Sequence, residues 1–196
     1  MADSIELVVG LGNPGPRYVR TRHNAGFEVA DELRRRRSRG DWLRRPECDL
    51  AVIVVSRLVV AARPLGFMNR SGAVAAGLLA ELGLEPPNLL VVVDDVDLPL
   101  GALRLKASGG PGTHNGLRDI CDCLGTGFPR LRLGVRGVGP IGDLAEYVLS
   151  TFEVGEADRA RTMVRRAADA AECAIREGLE RAMNTYNRPA ETTKPD

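Results

Sequence analysis

The chain has 196 residues and a formal net charge of +1, with 44% hydrophobic and 27% charged residues, a balance that sets aside disordered and fibrous classes. That length fills one core well and two poorly, so a single domain over residues 1–187 with a flexible tail at 188–196 is expected. The near-neutral total excludes a global field for a polyanionic partner and leaves local basic patches as the only electrostatic handle.

The beginning of the chain lacks a basic n-region and a long apolar h-region, and no stretch reaches the ~18 apolar residues of a membrane span. A cytoplasmic location without membrane contact is expected. The first element is the apolar run Ile5-Glu6-Leu7-Val8-Val9-Gly10-Leu11-Gly12. It breaks at glycines and then at Pro14 and Pro16, which reads as a strand delivering its loop to one edge of a sheet. Gly10-Leu11-Gly12-Asn13-Pro14-Gly15 also satisfies the G-x-G-x-x-G pattern of dinucleotide-binding folds. In those folds the third glycine lies in a helix whose amides face the pyrophosphate, and a second strand ends on an acid. Here prolines flank that glycine, and Arg34 to Arg37 stand where the acid is needed, so no nucleotide cofactor is expected. The helix instead follows His23, with Phe27, Val29, Ala30 and Leu33 as its apolar face. Its arginine run reads as a solvated helix end that complements the macrodipole.

Further strands are predicted at 50–56, 58–62, 89–93, 103–107 and 131–135, several of them near-continuously apolar, as in strands covered on both faces. Helical spacing recurs at 71–82, at 117–124 and at 157–179, where Ala160, Met163, Val164, Ala167, Ala171 and Ile175 form the stripe of a long amphipathic helix. This alternation predicts an α/β fold, a mixed, mostly parallel twisted sheet flanked by helices. Residues 137–142 read as a loop. The cysteines Cys48, Cys121, Cys123 and Cys173 have neither C-x-x-C spacing nor a histidine at zinc-ligand spacing. They read as reduced core thiols, and no metal site is expected.

Open α/β sheets gather ligands beyond the carboxyl ends of their strands. Four segments place polar residues there: Asn13, Phe67-Met68-Asn69, Asp94-Asp95-Val96-Asp97, and His114-Asn115-Gly116 behind the glycine-rich stretch 108–113. Only 2 histidines exist in the chain. A neutral imidazole accepts a proton from water near pH 7, and a carboxylate on its other nitrogen fixes the tautomer and stabilises the imidazolium. Carboxamides supply donors to a developing oxyanion, and both donor and acceptor to a peptide backbone. No serine or cysteine stands out as a nucleophile, so water is the attacking group. Each residue also has a local explanation as a turn residue or helix cap. The residues alone therefore stop at a hydrolase or an RNA-binding α/β domain.

Taken in order, Val9-Gly10-Leu11-Gly12-Asn13-Pro14-Gly15, Tyr18, Thr21-Arg22-His23-Asn24-Ala25-Gly26, Phe67-Met68-Asn69-Arg70-Ser71-Gly72, Asp94-Asp95-Val96-Asp97-Leu98-Pro99, His114-Asn115-Gly116-Leu117 and Arg130-Leu131-Arg132-Leu133-Gly134-Val135 resemble bacterial-type peptidyl-tRNA hydrolase from about Ile5 to Asn187. The resemblance implies a monomeric α/β enzyme of translation and ribosome rescue that needs no cofactor or metal. Its partner would be peptidyl-tRNA, met at the acceptor stem and 3′ end and cleaved at the ester between the peptide and the 3′ ribose. By the same resemblance His23 is the general base and Asp94 the carboxylate that orients it. Asn13 and Asn69 contact the peptidyl part and steady the carbonyl or the water, Asn115 holds water or substrate backbone, and Phe67 and Met68 belong to the substrate-binding set. Tyr18 would stack on the terminal base or ribose, and Arg104, Lys106 and Arg132 would meet tRNA phosphates. Two departures from the family pattern stand out. Pro111 and Thr113 interrupt a loop that is otherwise nearly pure glycine, where proline stiffens the backbone, and Arg136-Gly137-Val138 replaces a short glycine turn. A non-catalytic RNA-binding relative of the same fold is the competing class, against which the retention of both His23 and Asp94 speaks.

Overall fold

A fully buried, all-apolar strand, β1 (Leu7–Gly10), occupies the middle of a seven-stranded sheet in this computed structural model, which describes residues 4–188. The tail expected at 188–196 lies, apart from Arg188, outside the described residues. Parallel neighbours β4 (Leu58–Pro64) and β5 (Leu89–Pro99) flank β1, and β7 (Arg130–Arg136) extends the parallel set beyond β5. At the margins β2 (Leu43–Arg44), β3 (Cys48–Val54) and β6 (Leu103–Lys106) pair antiparallel. The mixed sheet is thus parallel through its centre and antiparallel at both edges.

Helices cover both faces, which is why the central strands lack a polar alternation. Along β5, side chains alternate between the two cores. Leu90 and Val92 face α1 (Ala25–Arg37), α5 (Ala157–Glu177) and α6 (Leu179–Tyr186), whereas Val91 and Val93 face α2 (Ser71–Leu82) and α3 (Asn115–Leu124). Gly10 serves this packing and not a phosphate, since a Cβ there would sit 2.2 Å from the Gly26 carbonyl oxygen. After Gly15 the chain makes two 3-10 turns, Pro16–Tyr18 and Arg22–Asn24, before α1 begins at Ala25. The nucleotide-loop geometry is absent from this segment.

Several elements differ from expectation. β5 continues to Pro99 where the sequence predicts an end at Val93, because β7 supplies partners at Asp94↔Leu133 and Asp95↔Gly134 and, after an irregularity, at Pro99↔Arg136. The helix expected over 157–179 breaks at Gly178, whose φ of 93° interrupts the spacing and makes α5 and α6 separate. The unpredicted α4 (Leu144–Leu149) starts after Asp143, whose side chain accepts from the Glu146 N–H at 2.8 Å. Arg34 to Arg37 are a solvated end only in part, with the Arg35 side chain 67% exposed. They pair with Asp41, Glu32, Asp169 and Glu172, and the last two tie α1 to α5. Of the cysteines only Cys48 and Cys173 are buried; Cys123 is exposed, which corrects its assignment to the core. Among the described residues no helix is long and apolar enough to cross a membrane.

Candidate active site

The close approach of α1 to the sheet sets the site. A Cβ on Gly26 would lie 2.4 Å from the Val92 carbonyl oxygen and 2.5 Å from the Leu11 nitrogen. Only glycine lets α1 seat there, and its leading 3-10 turn, Arg22–Asn24, then projects over the carboxyl ends of β1 and β5. Asn24, the last residue of that turn, holds the loop after β1 at two points. Its Oδ1 accepts from the Asn13 N–H at 2.8 Å, and its Nδ2 donates to the Asn13 carbonyl at 2.9 Å. The Asn13 side chain is aimed as well. Its Oδ1 accepts from the Met68 N–H at 3.1 Å, which leaves the amide N–H groups as its free function.

Both histidines converge on Asp94. His23 Nδ1 lies 2.9 Å from Asp94 Oδ1 and 3.0 Å from Oδ2, and His114 Nε2 lies 3.0 Å from Oδ1. His114 also caps α3, its Nδ1 accepting from the Leu117 N–H at 3.1 Å. That bond assigns the protons. With Nδ1 an acceptor, the ring is neutral and must carry its hydrogen on Nε2, donated to Asp94. The carboxylate has only acceptor capacity, so His23 likewise donates through Nδ1 and keeps its lone pair on Nε2. Two histidines and a carboxylate are also a metal-ligand set by proximity. Here both His114 nitrogens are already engaged, and no lone pair remains on that ring for a cation. Burial alone would push the Asp94 carboxyl up, but the imidazoles of His114 and His23 outweigh it and hold the group well below the usual carboxylate range.

Two adjoining cavities meet at Asn13 and Asn115. One, of about 480 Å³, holds His23, Asp94 and His114 against a wall formed by α4. The other, of about 640 Å³, is lined by Phe67, Met68 and Asn69 on one side and α3 on the other. Asn115 is exposed, and its Oδ1 accepts from Arg118 at 3.0 Å, so its amide hydrogens are the part left free for the cavity.

Residues 7–195 match the family model described as peptidyl-tRNA hydrolase. A peptidyl-tRNA hydrolase of Rubrobacter xylanophilus is 48% identical over 185 residues, covering 93% of this chain and 100% of that protein. One from a Roseiflexus species is 45% identical over 186 residues, covering 93% and 86%. The chain belongs to the peptidyl-tRNA hydrolase family. Among solved structures of the family, that of the Acinetobacter baumannii protein superposes with a TM-score of 0.88 at 31% identity, over 95% of this chain and 96% of that one. A peptidyl-tRNA hydrolase complexed with N-propanol gives a TM-score of 0.89 at 31% identity, covering 97% and 99%.

Within this family member, Asn13, His23, Asp94 and Asn115 come together, with Phe67, Met68 and Asn69 next to them. Tyr18 does not line either cavity; its ring carries the Arg17 guanidinium at 5.2 Å. The three expected phosphate-binding cations divide into two kinds. Arg104 and Lys106 stand exposed on β6, whereas Arg132 turns inward, bonded to Asp95 at 3.1 Å and to the Gly110 carbonyl at 3.0 Å. Arg132 shares the loop 108–113 with Arg130, which donates to the Gly109 carbonyl, and with Arg118, which donates to that of Gly112. The loop interrupted by Pro111 is thus pinned by three arginines. Sequence reasoning missed the second Asp94 partner, His114, and the whole of α4. A histidine directly before a predicted helix is a capping signal that points to His114. Asp143 followed three residues later by Glu146 is the comparable capping signal for α4.

Proposed function

We propose that this chain hydrolyses the ester joining a peptide, or an N-blocked amino acid, to the 3′ ribose of tRNA, with His23 as general base. The observation that carries the reading is the shared Asp94. It engages the Nδ1–H of His23 and leaves Nε2 as the one unpaired basic nitrogen of the histidine pair, in a cavity edged by the carboxamides of Asn13 and Asn115. A water molecule gives its proton to Nε2 as its oxygen attacks the ester carbonyl carbon. The negative charge that develops on the carbonyl oxygen meets amide N–H donors from Asn13 and Asn115. The imidazolium, stabilised by Asp94, then returns the proton to the ribose 3′-oxygen as the C–O bond breaks. A peptide carboxylic acid and tRNA with a free 3′-hydroxyl leave.

In this reading the peptide lies along the second cavity, between Phe67-Met68-Asn69 and α3, and the acceptor stem reaches Arg104 and Lys106 on the other side. The enzyme works as a cytoplasmic monomer with one domain over 1–187. The test is incubation with N-acetyl-aminoacyl-tRNA and with unblocked aminoacyl-tRNA. The blocked ester should be strongly preferred, because a free α-ammonium would sit poorly solvated among groups suited to a peptide amide. His23→Ala should lose most of the cleavage. Equal rates on the two substrates refute the substrate assignment, and binding of tRNA without cleavage favours the RNA-binding relative.

A further inference from the structure

Arg22 precedes His23 in the same 3-10 turn, and its side chain is only 3% exposed. Its Nη2 donates to Glu156 Oε2 at 2.7 Å. The guanidinium carbon lies 4.6 Å from the centre of the Tyr147 ring and 4.8 Å from that of Phe152. Nε and Nη1 are buried without a hydrogen-bond acceptor among the described residues. A buried cation with unpaired N–H groups is costly, and the faces of the two rings are what offset that cost. An arginine that only filled space would be replaced at lower cost by an apolar side chain.

The partners of Arg22 all belong to one segment. Tyr147 lies in α4, Phe152 follows it, and Glu156 precedes α5. The backbone repeats the connection: the Arg22 N–H donates to the Ser150 carbonyl at 3.0 Å, and Thr21 forms an antiparallel bridge with Thr151. Leu144, Ala145, Val148 and Leu149 of α4 wall the His23 cavity. The Tyr147 hydroxyl is fixed in turn, accepting from the Gly137 N–H at 2.8 Å and donating to the Val135 carbonyl at 3.1 Å. The stretch 136–138, a departure from the family's short glycine turn, is therefore part of the same lock. A Cβ on Gly137 would fall 2.0 Å from Glu156 Oε1.

We infer that Arg22 is a positioning residue: stacked on Tyr147 and Phe152 and paired with Glu156, it locks the α4 wall onto the turn that carries His23, so that wall and base are set together. The inference rests on the reading of His23 as the base. Arginine is required because its planar guanidinium stacks on rings while one edge pairs with a carboxylate, whereas an ammonium on a flexible stem keeps the pair and loses the stack. A displacement near 1 Å in a catalytic group costs on the order of 100-fold in rate, so a partial loosening should cost less.

The test compares Arg22→Lys, Phe152→Leu and His23→Ala with the unaltered enzyme, by steady-state cleavage of N-acetyl-aminoacyl-tRNA and by amide hydrogen exchange at a temperature where all are folded. Arg22→Lys and Phe152→Leu should each lower kcat by about 10- to 100-fold, with KM within about threefold. Exchange should rise at 144–149 and 21–24 and not in the central strands. His23→Ala should lower kcat with exchange at 144–149 unchanged. The inference is overturned by a kcat for Arg22→Lys within about twofold of the parent, by a loss of kcat without faster exchange in α4, or by exchange that rises uniformly through the sheet. Retained activity in His23→Ala overturns the base reading instead, and exchange in α4 alone then decides the role of Arg22.

Discussion

Replacing Asp94 by asparagine tests the tautomer argument at its centre. The carboxylate receives the N–H of His114 on Oδ1 and that of His23 on Oδ1 and Oδ2, at 2.9–3.0 Å. An asparagine offers one acceptor and one donor group in their place. His114 cannot change its tautomer, because its Nδ1 is held by the Leu117 N–H. The carboxamide oxygen must therefore occupy the Oδ1 position and the NH₂ the Oδ2 position, 3.0 Å from His23 Nδ1. His23 Nδ1–H then shares the carboxamide oxygen with His114 at 2.9 Å while it also faces the NH₂ group at 3.0 Å; that N–H repulsion is relieved when His23 moves its proton to Nε2, which removes the lone pair that takes the proton from water in the proposed mechanism. The same inversion of an imidazole in a serine-protease triad costs about 10⁴ in kcat. A loss of about 10³–10⁴ is expected here, which corresponds to about 4–5 kcal/mol of barrier. The assay is single-turnover cleavage of N-acetyl-aminoacyl-tRNA, run with ¹⁵N imidazole spectra that report which nitrogen carries the proton. A variant that cleaves within about tenfold of the parent, or whose His23 stays protonated on Nδ1, refutes the reasoning.

Arg104→Ala and Lys106→Ala should each raise KM for tRNA substrates and lower the log–log salt slope by about 0.7–0.9, with turnover at saturation unchanged. Arg132→Ala should reduce kcat as well, since its ties to Asp95 and the Gly110 carbonyl hold the cavity rim; salt slopes that match the parent in all three variants would remove the footprint. Acid should weaken the fold through Asp94, whose carboxyl is held below the usual carboxylate range by His114 and His23 in spite of burial. A folded-state pKa depressed in this way contributes stability that is complete above the unfolded value of about 3.9, and that stability is lost as pH falls through the folded value. In urea melts the parent should exceed Asp94→Asn above about pH 4, with the gap closing on further acidification. A gap independent of pH contradicts the assignment.

The central sheet was legible because its strands are covered on both faces and so read as apolar runs ended by glycine or proline. β5 was read too short, since Asp94-Asp95-Val96-Asp97 looks like a loop until β7 is known to run beside it. α4 and β2 have 6 and 2 residues, too few to display a period. The polar residues at strand ends were legible by position and by resemblance, but their bonding was not. Asp94 meets one histidine 71 residues before it and another 20 residues after it. The arginine run of α1 looked solvated because its partners Asp169 and Glu172 lie more than 130 positions later in the chain. The burial of Arg22 is hidden in the sequence for the same reason, its carboxylate being 134 residues away. Long-range pairing is what one sequence conceals, and it decides which charged groups remain available to a ligand.

The two histidines share one carboxylate, yet their roles differ because of what faces the second nitrogen of each ring. In His114 that nitrogen accepts a backbone N–H from the first turn of α3, so the ring has no basic site left and orients Asp94 through its remaining proton. In His23 the second nitrogen has no hydrogen bond among the described residues, and the ring lines the cavity. In the proposed mechanism Asp94 by itself does not choose the base; the helix that begins at Asn115 does so by occupying the other imidazole. The dependence on α3 extends to the carboxamide three residues before Arg118, because that arginine takes the Asn115 oxygen and one carbonyl of the loop together. The first turn of α3 therefore holds two hydrogen-bond donors of the site in fixed orientation, one toward Asp94 and one left free for the substrate in the proposed mechanism.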